Sequence, residues 1–378
     1  MMYEKTTVPN PTVGAVGEQS LKKESECSIS ENPAECKDNT AELLRKLRKM
    51  QEPGYLHTVT LNELYDNVYQ EFPAVVDGLL WPGTYLFVGA PKVGKSFLVA
   101  QIAYHVSMGL PLWNMKANQG TVLYLALEDD YRRLQRRLFR MFGTEGTERL
   151  HFSINAKHIG EGLDEQLERF VREHPDTKLI IIDTLQKIRE IGSDKYSYAG
   201  DYELITRLKM FAQERGICLL LVHHTRKQKA DDIFDTISGT NGLLGAADGA
   251  FMMQKHPVIY GKAYLSISGR DQQSQTMILQ RNPDRLDWEL EEVLAEVWEE
   301  PKDAVLEAIN GLLAETHSWS GNATELAEAL GMEISPVSLT KRLNVNVDRL
   351  RNDYRIHYAW SRTHTGRVIT LQRLNTEA

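Results

Sequence analysis

The segment Gly89-Ala90-Pro91-Lys92-Val93-Gly94-Lys95-Ser96 lies directly after the apolar run TYLFVGA and directly before the helical run SFLVAQIAYHV. A loop of that pattern between a strand and a helix leaves few folds open. Its two glycines let consecutive N–H groups bend around one anion, and the helix that follows aims its positive end at the same place. Such a loop cradles a phosphate chain, with Lys95 reaching the terminal phosphates and Ser96 offering a hydroxyl to a bridging Mg²⁺. Gly89, Ala90, Pro91, Lys92, Val93, Gly94, Lys95, Ser96 and Phe97 are therefore the candidate nucleotide-binding residues. ATP and Mg²⁺ are the expected ligand pair, and the Lys92 side chain is expected to point to solvent.

Three further strand ends carry chemistry. KLIIIDTL places Asp183 at the carboxyl end of a buried strand, where a carboxylate orders the water shell of the same Mg²⁺, so Ser96 and Asp183 are the expected metal contacts. TVLYLALEDD ends in Glu128, the candidate base for an attacking water, while Asp129 or Asp130 caps the next helix, YRRLQRRLFRMF. LLLVHHTRK ends in His223 and His224. Adjacent strand residues point to opposite faces, so one histidine faces the nucleotide and a metal-binding pair is disfavoured. His224 or Thr225 is the candidate sensor of hydrolysis. The polar stretch KQKADDIFDTISGTNG follows as a functional loop, and its Lys227 and Lys229 are candidate nucleic-acid contacts. YLSISGRD ends in Arg270, either a finger on a neighbouring subunit's phosphate or a surface partner of Asp271.

The fold class expected from these segments is α/β. TYLFVGA, TVLYLAL, KLIIIDT, ICLLLVHH, GAFMMQK and KAYLSISG read as strands alternating with helical stretches, and the first four are continuous enough in apolar residues to be central parallel strands covered on both faces. Residues 79–290 form the expected core domain. Residues 1–40 are a polar tail without the apolar content to fold, 41–78 a helical lead-in to the core, and LDWELEEVLAEVWEEP an acidic boundary before a module at 301–378. The 378-residue chain has 42% hydrophobic residues and a net charge of −8, so any nucleic-acid contact comes from local patches. Its three cysteines, Cys27, Cys36 and Cys218, show no paired metal-ligand spacing and read as free thiols. No apolar run approaches the roughly 18 residues of a membrane helix, so a cytoplasmic protein without membrane contact is expected.

In the C-terminal module, PKDAVLEAINGLLAE, ATELAEALG and SPVSLTKRLNVNVDRLRND read as three helices, and IHYAWSRTHTGRVITLQR as a hairpin turning at Thr365 and Gly366. From Lys341 to Arg373 eight basic residues (341, 342, 349, 351, 355, 362, 367, 373) face two acidic ones (348, 353), a surplus of six. The pattern is that of a small winged helix-turn-helix domain, with Ser338, Lys341 and Arg342 on the recognition helix and Arg362 and Arg367 beside the wing tip as candidate duplex contacts. A protein-docking module with a solvated charged face is the alternative.

WPGTYLFVGAPKVGKSFLVAQ, VLYLALED, LIIIDTL, VHHTRK with SGTNGLLGAAD, and SGRD together resemble the RecA-like hexameric ATPases of the RepA type, relatives of the DnaB and KaiC groups. The resemblance covers Leu79 to Asp271. It implies a RecA-like parallel sheet flanked by helices and a replicative or replication-associated DNA helicase of a plasmid or mobile element. It further implies a homo-oligomeric ring, hexameric in that group, with single-stranded DNA in its centre and ATP sites between subunits. By that likeness Lys95 and Ser96 hold phosphate and metal, Asp183 the metal shell, Glu128 is the base, His224 the sensor and Arg270 the finger. RepA-type helicases need no appended winged domain, so the C-terminal module marks a departure. An ATP-gated DNA-binding switch that never unwinds is the second reading, and a small-molecule kinase lacks the acceptor-binding lid it would need.

Overall fold

Strict alternation inside the apolar runs decides the architecture. In the strand Gly83–Gly89 (β1), Tyr85 and Phe87 join one buried cluster while Leu86 and Val88 join another. The same parity holds in β4 (Thr177–Asp183), where Leu179 and Ile181 face the first cluster and Ile180 and Ile182 the second. These runs are buried on both sides, as parallel strands covered by helices must be.

The computed structural model describes residues 54–374 apart from 57, 71, 190–197, 227–232, 239–240, 271–273, 296–301 and 364–365. The expected polar tail, the segment AELLRKLRKM, Lys227, Lys229 and Asp271 lie outside those residues. The chain divides into two compact units, one of residues 72–298 and one joining the N-terminal stretch through Glu71 to residues 299–378.

The larger unit holds a nine-stranded sheet in the order β3-β2-β4-β5-β1-β6-β7-β8-β9. β3 (Leu150–Ser153), β2 (Thr121–Ala126), β4, β5 (Cys218–His224), β1 and β6 (Gly249–Lys255) run parallel; β7 (Lys262–Gly269), β8 (Gln275–Arg281) and β9 (Trp288–Ala295) continue antiparallel. This mostly parallel sheet with flanking helices is RecA-like. All six expected strands form. Three more were not legible: β3 is a short edge with half-buried residues, and β8 and β9 alternate too irregularly, with a register shift between Ile278 and Leu279.

The acidic segment LDWELEEVLAEVWEEP contains the division between the units at Trp298 and Glu299, but its linker character needs correcting: WELEEVLA is strand β9, with Trp288 buried and Leu290 packed on the core while Glu289, Glu291 and Glu292 stay exposed. Cys218 is a buried free thiol, and burial pushes it well above the usual thiol range.

In the smaller unit, helices Ala304–Thr316, Ala323–Ala329, Pro336–Val345 and Val347–Asn352 pack with a three-stranded antiparallel sheet, β10-β12-β11 (Ser318–Gly321, Gly366–Arg373, Ile356–Thr363). The expected third helix is two, because Asn346 caps the first and its Nδ2 donates to Arg342 O at 2.8 Å. Strand β10 was not anticipated. The hairpin forms in the expected place, with Thr363 opposite Gly366.

The segment 41–78, expected to lead into the core, is divided between the units. Its helix Leu61–Asp66 belongs with the C-terminal residues, closed by a capping box of Thr60 and Glu63. Asn344 fastens it there, donating to Tyr65 O at 3.0 Å and Asp66 O at 3.1 Å while its Oδ1 accepts from Tyr358 Oη at 2.8 Å. Among the described residues no helix is long and apolar enough to cross a membrane.

Candidate nucleotide site

Strand parity and register bring the expected residues to one edge of the sheet. Gly89 is opposite His224, Asp183 opposite Val222, and Ala126 opposite Asp183, so the carboxyl ends of β1, β5, β4 and β2 lie side by side. Counting by twos from core residues places Gly89, Asp183 and His224 on the face of the first buried cluster. That cluster contains Leu98, Val99 and Ile102 of the helix Lys95–Met108, which therefore covers the same face. The sheet is tight here: a Cβ on Gly89 would stand 2.4 Å from Met253 O, so only glycine admits β6 so close to the loop. Ala90, Pro91 and the Lys92 side chain are exposed, Val93 is buried, and Gly94 turns into the helix at φ 112.

Lys95 is the centre of the site. It is 6% exposed, and its Nζ donates to Gly89 O at 2.7 Å and Ala90 O at 3.1 Å, with His224 Nδ1 at 3.4 Å. Burial lowers its pKa, and Asp183 and Glu128 oppose that fall. A hydrogen bond from the ammonium to His224 Nδ1 requires that nitrogen to accept, which puts the proton of a neutral imidazole on Nε2. Burial and the neighbouring Lys95 both hold His224 below its ordinary pKa, which keeps it neutral.

Asp183 is 8% exposed and carries the opposite shift. Burial raises its pKa, while hydrogen bonds from Ser96 and Tyr124 counter the rise. Tyr124 Oη donates to Asp183 Oδ2 at 2.9 Å from inside β2. Those bonds come from neutral hydroxyls, an arrangement that a divalent cation would complete. Among the described residues no cluster of three or more His, Cys, Asp or Glu side chains forms a metal cage. The Ser96 hydroxyl beside the Asp183 carboxylate offers the hard oxygen donors that suit a Mg²⁺ keeping its waters and taking its other ligands from phosphates.

Glu128 is exposed just beyond β2, and its Oε1 accepts from Thr184 Oγ1 at 3.1 Å. Asp130 is the helix cap, accepting from Arg133 N at 2.9 Å, while Asp129 is bound by Arg137 at 2.6 Å. Phe97 packs partly buried, with the Arg281 guanidinium 4.2 Å above its ring and that of Arg137 at 5.2 Å.

His223 takes the other face, as parity requires. Its Nε2 lies 2.8 Å from Ser238 O, and burial depresses its pKa from 6.5 to about 4. The folded protein therefore refuses a proton that the unfolded chain accepts. This contribution is complete above pH 6.5 and drains as pH falls toward 4, to a loss of order ~3 kcal/mol. Denaturant midpoints from pH 7 to 4.5 should fall less steeply for His223→Asn than for the wild type; parallel curves would assign the acid sensitivity elsewhere.

The other expected residues lie apart from this cluster. Arg270 is exposed and its Nη2 donates to Gly245 O at 2.7 Å. In the C-terminal unit, Lys341 Nζ donates to Asn62 Oδ1 at 2.6 Å, Arg342 pairs with Asp303 at 3.6 Å, and Ser338 Oγ accepts from Ser335 Oγ at 2.8 Å. Arg367 stacks on Trp360 at 3.7 Å and donates to Asn344 Oδ1 at 3.2 Å, and Arg362 is exposed.

Tyr124 and Thr184 were missed in the sequence. The usable signal for Tyr124 was a phenol inside a fully apolar central strand, which needs a polar partner. Removing only that hydroxyl with Tyr124→Phe should raise the Mg²⁺ concentration for half-maximal ATP turnover roughly tenfold. A Mg²⁺ titration matching the wild type would take Tyr124 out of the metal's surroundings.

Sheet order and the loop between β1 and its helix together give the larger unit the arrangement of a P-loop domain with a RecA-like sheet. Residues 52–230 match a family model described as an AAA domain. The chain is 27% identical over 177 residues to the DNA repair protein RadA of Salmonella typhimurium, covering 46% of this chain and 34% of that protein. To RadA of Escherichia coli it is 26% identical over 178 residues, with the same coverage of 46% and 34%. The chain thus spans about a third of the length of these curated relatives. Among solved structures, an ATPase domain aligns with a TM-score of 0.48 at 14% identity, over 56% of this chain and 85% of that one. A KaiC-like protein from Pyrococcus horikoshii aligns with a TM-score of 0.41 at 15% identity, over 60% and 99%.

Proposed function

We propose that the chain is a DNA-associated, ATP-hydrolysing motor of the helicase kind, a cytoplasmic replication ATPase of a plasmid or mobile element that works as a homo-oligomeric ring with six subunits as the expected number. The observation that carries it is the convergence of Lys95, Asp183, Glu128 and His224 at neighbouring strand ends. Mg²⁺ with ATP supplies a transferable phosphoryl group whose charge the metal spreads. Lys95 and the loop N–H groups would hold the phosphates, and Ser96 with Asp183 would orient the metal. Glu128, steadied by Thr184, takes the proton of the attacking water. His224, neutral and protonated on Nε2, offers that N–H as a donor at the phosphate end and carries the change to the segment after β5.

DNA association is supported by the two RadA likenesses and by the local basic residues. Lys227 and Lys229 are proposed to touch single-stranded DNA in the ring. The C-terminal unit is proposed as a winged helix meeting duplex DNA through Ser338, Lys341, Arg342, Arg362 and Arg367. For that, Lys341, Arg342 and Arg367 would exchange their internal partners for phosphates, which a gated module can do. That appended unit favours the second reading, an ATP-gated DNA-binding switch.

ATP turnover with and without single-stranded DNA separates the two. A motor shows stimulated turnover, and Arg270→Ala should remove most of it, about a hundredfold or more, if the guanidinium leaves Gly245 O for a neighbouring subunit's phosphate. Mixing Arg270→Ala with Lys95→Ala subunits should then restore partial turnover. Turnover indifferent to DNA, alongside duplex binding, would replace the motor with the switch.

A further inference from the structure

Strand β9 meets the phosphate loop at one residue. Trp288 is 3% exposed, and its ring lies so close to Gly94 that a Cβ there would stand 2.6 Å from Cζ2 and 3.3 Å from Cε2. Gly94 is thus glycine for two reasons, its φ of 112 and the indole against it. Trp288 Nε1 also faces Gly94 O at 3.4 Å.

The backbone that carries the indole is held by hydrogen bonds. Gln101, 4% exposed on the helix that begins at Lys95, donates its Nε2 to Trp288 O at 2.9 Å and accepts Trp288 N on Oε1 at 2.8 Å. The Trp113 Nε1 donates to the same Trp288 carbonyl at 2.6 Å. The ring of Trp288 therefore meets the turn before the helix and its backbone is fixed to the second turn of that helix, although 194 positions separate Trp288 from Gly94. A buried amide with both functions engaged is a costly way to fill a core position, and its effect here is to hold strand β9 against the helix that follows the loop.

We propose that Trp288 is a positioning residue for nucleotide binding, clamping the Gly94 turn in the shape that aims the loop N–H groups at phosphate, with Gln101 as its brace. The proposal rests on the nucleotide-site assignment above. A glycine-flanked loop has many conformations open to it, and a loop already held in one of them spares the ligand the cost of ordering it.

The test compares the full-length wild type with Trp288→Ala, Trp288→Phe, Gln101→Leu and Lys95→Ala. Affinity for MgADP is measured by calorimetry and the thermal midpoint without nucleotide. Trp288→Ala should bind MgADP about tenfold or more weakly, Gln101→Leu measurably more weakly and with a lowered midpoint because the buried Trp288 N–H loses its acceptor, and Trp288→Phe close to the wild type because a ring remains. Variants with lowered midpoints but wild-type affinity would make Trp288 a packing residue and overturn the proposal. Should Trp288→Ala fail to fold, wild-type affinity in Gln101→Leu overturns it just the same. A wild type that does not bind MgADP, or a Lys95→Ala variant that binds it equally well, overturns the site assignment and the clamp together.

Discussion

Lys95→Ala should abolish ATP turnover, by ~10²–10³-fold or more, while leaving the fold as stable as before or slightly more so. The two effects have one origin. The ammonium sits 6% exposed among backbone carbonyls, with Gly89 O at 2.7 Å, and burial drags its pKa down. Holding a charge there costs the folded protein energy that Asp183 and Glu128 only partly return. The same charge is what a phosphate chain would meet, in a place where water cannot screen it. Lys95→Arg should not rescue turnover, because a planar guanidinium cannot take the position of a compact ammonium between two carbonyls and His224 Nδ1. ATP turnover and thermal midpoints of both variants check this; turnover within about tenfold of the wild type would remove Lys95 from the chemistry.

Glu128→Gln should separate binding from hydrolysis. The amide keeps the shape and can still accept from Thr184 Oγ1, now 3.1 Å from Oε1, but it cannot take a proton from water. Turnover should fall ~10²–10⁴-fold while nucleotide affinity stays within about twofold. The nearest competitor for the role is Asp129, yet its carboxylate is engaged by Arg137 at 2.6 Å and Arg133 at 3.5 Å, which suits an anchor better than a base. Single-turnover rates for Glu128→Gln and Asp129→Asn decide between them; an active Glu128→Gln passes the role to another group.

How far the sequence reached depended on range. The loop from Gly89 to Ser96, its strand and its helix were legible because neighbouring residues carry the whole signal: glycines, lysine and hydroxyl in fixed spacing between two apolar runs. Asp183 and Glu128 were legible for a related reason, since a carboxylate ending an apolar strand stands out against its own neighbours. His224, with Thr225, was chosen for its place at the strand tip, and strand parity in the fold gives the reason to prefer it to His223: His224 shares a face with Gly89 and Asp183, and His223 points into the other cluster.

What failed was long range. LDWELEEVLAEVWEEP looked like an acidic connector because its glutamates dominate the composition, but the place of Trp288–Ala295 in the sheet depends on pairing with β8 and on Gln101 far upstream. No local pattern announces a glutamine whose two amide functions match the backbone of a strand 187 positions away. The helix Leu61–Asp66 likewise looked like a lead-in to the core until Asn344 claimed it for the other unit.

The sequence by itself determined the phosphate loop, the two-faced parallel strands and the carboxylates at their ends, because those features arise from spacing within a single segment. Only the tertiary structure decided which strands are neighbours, which histidine joins Lys95, and which tryptophan closes over Gly94. Those outcomes depend on packing between residues distant in the chain, where the chemistry of each partner is ordinary and only their meeting is specific.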